Sequence, residues 1–132
     1  MSTLDSLAAA LRQPAPADVE RLAWDTLTLA ADLADALAWT DGVSPETAIA
    51  ASGAAIAGRD LLAIPAEGPS PLLPEPVARS QAGQLADLLD RARLLLDQAG
   101  RATADPDQVH RLHACADRAA EAAAGLRHLD AP

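Results

Sequence analysis

The stretch QLADLLDRARLLLDQA, residues 84–99, decides the fold because its apolar residues recur at intervals of three and four. That spacing places them on one face of an α-helix. The apolar positions are Leu85, Leu88, Leu89, Ala92, Leu95, Leu96 and Ala99. Asp87 and Arg91 lie four residues apart on the opposite face, as in a solvent-exposed ion pair. The pattern predicts an amphipathic helix over about residues 77–99, which Gly100 should end.

Similar patterns predict further helices on both sides of this one. Ser44 followed by Pro45, and Asp105 followed by Pro106, are typical helix starts, with a capping side chain before a proline in the first turn. The expected helices cover about residues 3–12, 17–39, 45–63, 77–99 and 106–129. The middle of the third helix, from Ala50 to Gly58, consists almost entirely of small residues, which would let a neighbouring helix approach closely.

Prolines interrupt the helical pattern at about residues 65–76, which contain five of the ten prolines. Such a segment cannot be helical and is expected to be an extended crossover. We predict one all-α domain over residues 1–132, a small bundle of four main helices plus a short N-terminal helix. The last two helices should form an antiparallel hairpin, whereas the long crossover leaves the relative direction of the third and fourth helices open.

The composition and charge of the chain argue against several classes of protein. The formal net charge of −9 disfavours a nucleic-acid-binding protein, which normally presents a basic surface. One cysteine excludes an internal disulfide framework and a cysteine-rich zinc module. No apolar run approaches the ~20 residues of a membrane span, and no signal peptide is recognisable, so a cytoplasmic protein is expected. All ten basic residues are arginine and alanine dominates, which is typical of a high-GC bacterial genome.

The residues that could carry chemistry do not form a recognisable site. His110 and His113 are three residues apart on the fifth helix and are weak candidates for a metal site. Cys115 should point away from them, and a buried helical cysteine is usually inert. No phosphate-binding loop or nucleophile motif is present, and we expect no catalytic residue, metal or other cofactor.

The second helix offers the strongest candidates for an interaction surface. Trp24 and Trp39 should both point to its polar flank, and tryptophan is enriched where proteins make their strongest contacts. A purely structural explanation is that the N-terminal helix or the crossover covers the two tryptophans. Asp25, Asp32 and Asp35 belong to an acidic stripe beside them, which we expect to be solvated and which could attract a basic partner.

These observations favour a non-catalytic helical adaptor or regulator that acts through protein contacts, as a homodimer or with another protein. Two alternatives remain open. Small residues in the third helix could leave a pocket, which would make the chain a small-molecule-binding bundle. A small helical enzyme is also possible if the fold brings acids or histidines together across helices.

Overall fold

The computed structural model describes residues 3–62, 71–73 and 77–130, and the chain is all-helical there, as predicted. The helices are α1 (Thr3–Arg12), α2 (Val19–Leu37), α3 (Pro45–Asp60), α4 (Ser80–Ala102) and α5 (Pro106–Asp130). A 3₁₀ turn, Pro16–Asp18, precedes α2. The boundaries agree with the predicted ones to within three residues. Most of the predicted crossover at 65–76 lies outside the described residues.

Local signals in the sequence set several of these boundaries. Ser44 Oγ accepts a hydrogen bond from the backbone N–H of Thr47 at 3.3 Å, which satisfies one free donor at the start of α3. Asp105 does the same at α5, where its carboxylate accepts from the N–H of Asp107 at 3.0 Å. Gly42 has a φ of +82°, which glycine adopts at little cost, and it completes the turn between α2 and α3.

Gly100 does not end α4, as its position had suggested, because the helix continues to Ala102. The glycine is buried within the helix instead, and a methyl group at this position would lie 2.9 Å from Nε2 of His113. The absence of a side chain therefore makes room for the histidine ring of α5. Gly100, which had indicated a helix end, thus meets a packing requirement between α4 and α5 instead.

Four helices form a ring in which neighbours run antiparallel, in the spatial order α2, α3, α5, α4. Asp97 pairs with His113 and Asp87 with Arg127, which confirms the predicted antiparallel hairpin of α4 and α5. α3 lies antiparallel to α2 and α5, so it runs parallel to α4 on the opposite side of the ring. α1 packs against α4 and α2.

The core of this ring is aliphatic, as the scarcity of aromatic residues predicts. Its largest fully buried side chains are all leucines: Leu4, Leu11, Leu27, Leu29, Leu33, Leu37, Leu85, Leu89, Leu96, Leu112, Leu126 and Leu129. The described part of the crossover contains two leucines, and only one of them packs against this core. Leu73 contacts the core, whereas Leu72 is 77% exposed.

Arginine side chains fasten helices to one another at their ends. Arg91 of α4 donates to the carbonyl oxygens of Leu11 and Arg12 at 2.9 and 2.8 Å, where α1 has no backbone partner for them. Arg111 of α5 donates to Glu20 Oε1 of α2 at 2.6 Å, and to a backbone carbonyl just after α3. The Arg91 contacts hold α1 against α4, and the Arg111 contacts hold α5 against α2 and the end of α3.

Candidate interaction surface

The outward side of α3 carries an apolar surface that no described helix covers. Ile49 and Ile56 are 57% and 39% exposed, and they lie seven residues apart on one side of the helix. Gly53 lies between them, and a side chain added there would meet nothing within 4 Å. No residue between Glu46 and Arg59 is charged. We call Ile49, Gly53 and Ile56 the outer α3 face.

The inward side of α3 shows why the helix is made of small residues. A methyl group at Gly125 of α5 would lie 2.8 Å from Cβ of Ala51, and one at Gly58 would lie 3.0 Å from Cβ of Arg118. α5 therefore approaches α3 as closely as their backbones allow, as expected from the small residues of the third helix. At these two positions the two helices are in direct contact.

A shallow groove of about 360 Å³ lies beside the outer α3 face, between α3 and α5. Its floor is formed by three alanines of α3, and Glu46 and Glu121 stand at its edge. The residues that line it are Glu46, Thr47, Ala50, Ala51, Ala54, Glu121 and Gly125. The groove extends the apolar surface sideways toward α5 and gives it an acidic border.

Trp39 is the most exposed large apolar side chain among the described residues, at 81%. The helix was expected to include it, but α2 ends at Leu37 and Trp39 lies in the turn that leads to α3. It is thus displayed near the N-terminal end of α3. The sequence correctly placed this side chain outside the core, and neither the N-terminal helix nor the described part of the crossover covers it.

Trp24 has a different environment. It is half-buried against the core, and the guanidinium groups of Arg21 and Arg59 each lie 5.7 Å from the centre of its ring. Such contacts stabilise both partners modestly at an exposed site. Arg59 also lies 3.5 Å from the hydroxyl of Thr28, so α3 covers part of the ring. Nε1 of the indole is buried and has no hydrogen-bond partner among the described residues.

The three aspartates do not share one environment. Asp32 and Asp35 are exposed, as expected, but Asp25 is half-buried, so the prediction of a uniformly solvated stripe was wrong there. Burial raises the pKa of Asp25, and Arg21, whose Nε lies 3.3 Å from the carboxylate, opposes that shift. Desolvation also raises the pKa of Asp32. The attraction of Arg59 opposes this shift in pKa, and the repulsion of Asp35 adds to it.

Asp25 became buried because α1 lies across this part of α2. Its carboxylate lines a groove of about 240 Å³ whose other walls come mainly from these two helices. The lining residues are Thr3, Ser6, Leu7, Ala10, Leu22, Asp25, Leu29 and Pro71. Helical periodicity of α2 alone could not show this, because the cover depends on where a separate helix docks.

The histidines are not brought together. Nδ1 of His113 lies 2.7 Å from Oδ1 of Asp97, while its other nitrogen faces the backbone at Gly100. His110 and His128 are exposed. Within the described ranges, no three His, Cys, Asp or Glu side chains are grouped as a metal site requires. His113 thus joins α4 to α5.

Cys115 is fully buried, and its thiol donates to the backbone carbonyl of Gly58 at 3.2 Å. Burial raises the pKa of Cys115 to about 12, and the charge of Glu20 adds to the shift. A thiol of this pKa is protonated at neutral pH, so it is a poor nucleophile and metal ligand. Its role in this structure is to pack between α5 and α3.

Comparison with known proteins adds no functional information. A scan against protein-family models finds no match, and neither do searches of curated proteins and of solved structures. None of the described helices combines the length and apolar character needed to cross a membrane. The outer α3 face and Trp39 therefore have to be interpreted from their own chemistry.

Proposed function

We propose that this protein is a non-catalytic helical adaptor or regulator that acts through protein–protein contacts. The observation that carries the proposal is the outer α3 face, where two isoleucines are open to solvent on a charge-free helix surface. A helix that is apolar on all sides is typical of a protein interior. Covering the exposed side with another protein would give α3 that environment.

Trp39 supports the same proposal independently. Burying an exposed tryptophan contributes several times more favourable free energy than burying a small side chain, because more apolar surface leaves water. Tryptophan is also the residue most enriched at interface hot spots. Its position in the turn before α3 places it near one end of the outer α3 face. A partner that covers this end of α3 would be well placed to contact both.

The chemistry of the remaining candidates supports a role without catalysis. Cys115 is protonated and enclosed, and His113 is paired with Asp97 and packed over Gly100. Asp25 has a raised pKa, but it lies beside Arg21 rather than beside a second acid or a nucleophile. None of these groups combines an accessible reactive atom with a neighbour that would activate it.

The proposal is tested by native mass spectrometry of tagged protein purified gently from its natural host. We expect a stoichiometric second chain, either another copy or a different protein. Ile49→Glu and Trp39→Ala should each remove it without changing the thermal midpoint by more than about 2 °C, because both side chains are exposed.

Leu94→Glu is the matched control. Leu94 is also a large exposed apolar residue, at 42%, but it lies on α4, away from α3. It should leave the associated chain in place. The proposal is refuted if the wild-type protein carries no second chain, or if Leu94→Glu removes the chain as effectively as Ile49→Glu does.

A further inference from the structure

We propose that the surface on which α1 lies is a docking site for a basic amphipathic helix of a partner protein, and that α1 is the built-in competitor of that helix. We call this surface the α1 site. It includes Leu22, Asp25 and Leu29 of α2 and Arg91 of α4. It is separate from the outer α3 face, because α1 packs at α4 and α2, so the two surfaces can be tested independently.

α1 occupies this site in the way that a short helix binds in a groove. Its buried anchors Leu4, Leu7 and Leu11 have the spacing i, i+3, i+7 that is typical of such binding. Arg91 donates to the carbonyl oxygens of Leu11 and Arg12 at 2.9 and 2.8 Å, which are free because the helix ends there. Any amphipathic helix with these leucines and this end offers the same groups. The site therefore recognises a type of helix rather than one sequence.

α1 could leave the site without opening the ring. The four ring helices contact one another in a closed order, and α1 lies outside them. Pro14 and Pro16 separate α1 from α2, so no continuous helix joins the two. A helix of 10 residues is marginal on its own in water, and it depends on the site for its structure. α1 thus resembles a tethered ligand of the ring.

The fit of α1 is incomplete at Asp25. A groove of about 240 Å³ stays open there between α1 and α2. Oδ1 of Asp25 is buried and has no hydrogen-bond partner among the described residues, although Nε of Arg21 lies 3.3 Å from it. Desolvation raises the pKa of Asp25 in spite of the attraction of Arg21, so this charge does not fully offset the burial. A cation placed in the groove would stabilise the carboxylate.

Neither α1 nor the crossover supplies that cation. The crossover reaches the groove at Pro71, and residues 60–78 contain no basic residue. A helix with arginine or lysine in place of Ala10 would fill the groove and pair with Asp25. The net charge of −9 would also attract a basic partner. The α1 residues that line the groove are all uncharged: Thr3, Ser6, Leu7 and Ala10.

Competition with α1 determines which helices can bind. A segment on a short tether has an effective concentration in about the millimolar range, so a free helix identical to α1 would displace it poorly. A partner must therefore gain free energy from a contact that α1 does not make. Pairing with Asp25 is such a contact, and it favours a basic helix over a neutral one.

Substitutions within α1 test the groove in the intact chain. Ala10→Arg should raise the midpoint of thermal unfolding by about 3 °C, because the new cation lies in the groove with Asp25. Ala9→Arg is the matched control, since Ala9 is exposed and does not line the groove, and it should shift the midpoint by less than about 1 °C. The difference should disappear in an Asp25→Asn background. Equal midpoints for the two arginine variants overturn the proposal.

Fluorescence anisotropy tests docking of a separate helix. The probe is a labelled peptide of residues 1–13 that carries Ala10→Arg, and the control peptide carries Ala9→Arg. Leu7→Asp in the protein removes an anchor of α1 but leaves the α2 and α4 walls unchanged. This variant should bind the probe about tenfold more tightly than the wild type does, because its site is open more of the time. It should also prefer the probe to the control peptide about fivefold, and adding Asp25→Asn should abolish that preference.

Circular dichroism checks the open variant. Leu7→Asp should lose the helical signal of about ten residues and still unfold cooperatively. If it does not fold, the wild-type protein with up to about 1 mM peptide gives the same comparison of the two peptides. The proposal is overturned if the two peptides bind equally, if the probe shows no saturable binding, or if Asp25→Asn leaves the preference unchanged.

Discussion

Replacing Gly53 and Gly125 separately with alanine should change stability in opposite directions, although both are helical glycines. Alanine is favoured over glycine within a helix by about 1 kcal/mol. At Gly53 the new methyl group meets nothing within 4 Å, so that gain should be retained. We expect Gly53→Ala to raise the midpoint of thermal unfolding by about 4 °C for a chain of this length.

At Gly125 the same methyl group would lie 2.8 Å from Cβ of Ala51, where carbon atoms prefer about 3.5–4.0 Å. The Cβ atom of an alanine cannot rotate away, so α3 and α5 must separate. Such overpacking costs about 1–3 kcal/mol, which exceeds the helical gain. We expect a net loss of about 1 kcal/mol and a midpoint about 4 °C below the wild type.

Thermal melts of dilute protein followed by circular dichroism measure both variants under conditions in which self-association does not contribute. The two midpoints should differ by about 8 °C, with the wild type between them. If Gly125→Ala is as stabilising as Gly53→Ala, the close contact between α3 and α5 is wrong. The assignment of the outward side of α3 would then be wrong as well, since it depends on the same orientation.

Two further predictions concern single side chains. Arg91→Met should remove both hydrogen bonds to the carbonyls of Leu11 and Arg12 and lower the free energy of unfolding by about 1–2 kcal/mol. Hydrogen exchange should then accelerate in α1 first. Uniform acceleration across all helices would argue against a role of Arg91 in holding α1. Asp25→Asn should stabilise the protein at pH 7 by less than about 1 kcal/mol, because it removes a desolvated charge and loses only a partly exposed ion pair. Since the pKa of Asp25 is raised from 3.8 in the folded state, that penalty is lost as the pH falls through the folded-state pKa. The two proteins should therefore melt alike below pH 3.8, and a difference that grows toward low pH would contradict the sign.

The helices could be predicted from the sequence because each is specified locally. The apolar spacing around Leu88 and Leu89 requires a helix, and Ser44 and Asp105 mark where two others begin. The misjudged helix end at Gly100 shows the limit of local signals. Glycine ends a helix when the backbone must turn, but it also occurs within a helix when a neighbouring side chain needs its space, and the two cases have the same sequence.

The candidate surface was predicted only in part, because exposure depends on which helices become neighbours. Trp39 could be placed outside the core from its position in the predicted second helix, whereas the half-buried state of Trp24 depends on Arg59 from another helix. The outer α3 face was missed. Its signal was present, since Ile49 and Ile56 are the two bulky residues among the small ones of α3 and share one side of it. Helical spacing alone does not show whether that side faces inward.

The order of the ring explains why the side with the two isoleucines faces outward. α3 contacts α2 and α5, and both contacts use its smallest residues, such as Gly58 and Ala51. Large side chains would hold these helices apart, so they can be accommodated only on the remaining side. The one additional described helix, α1, packs at α4 and α2 rather than there. Ile49 and Ile56 lie on that side, where 57% and 39% of their surfaces remain exposed. This exposure is the feature on which the proposed contact with a partner rests.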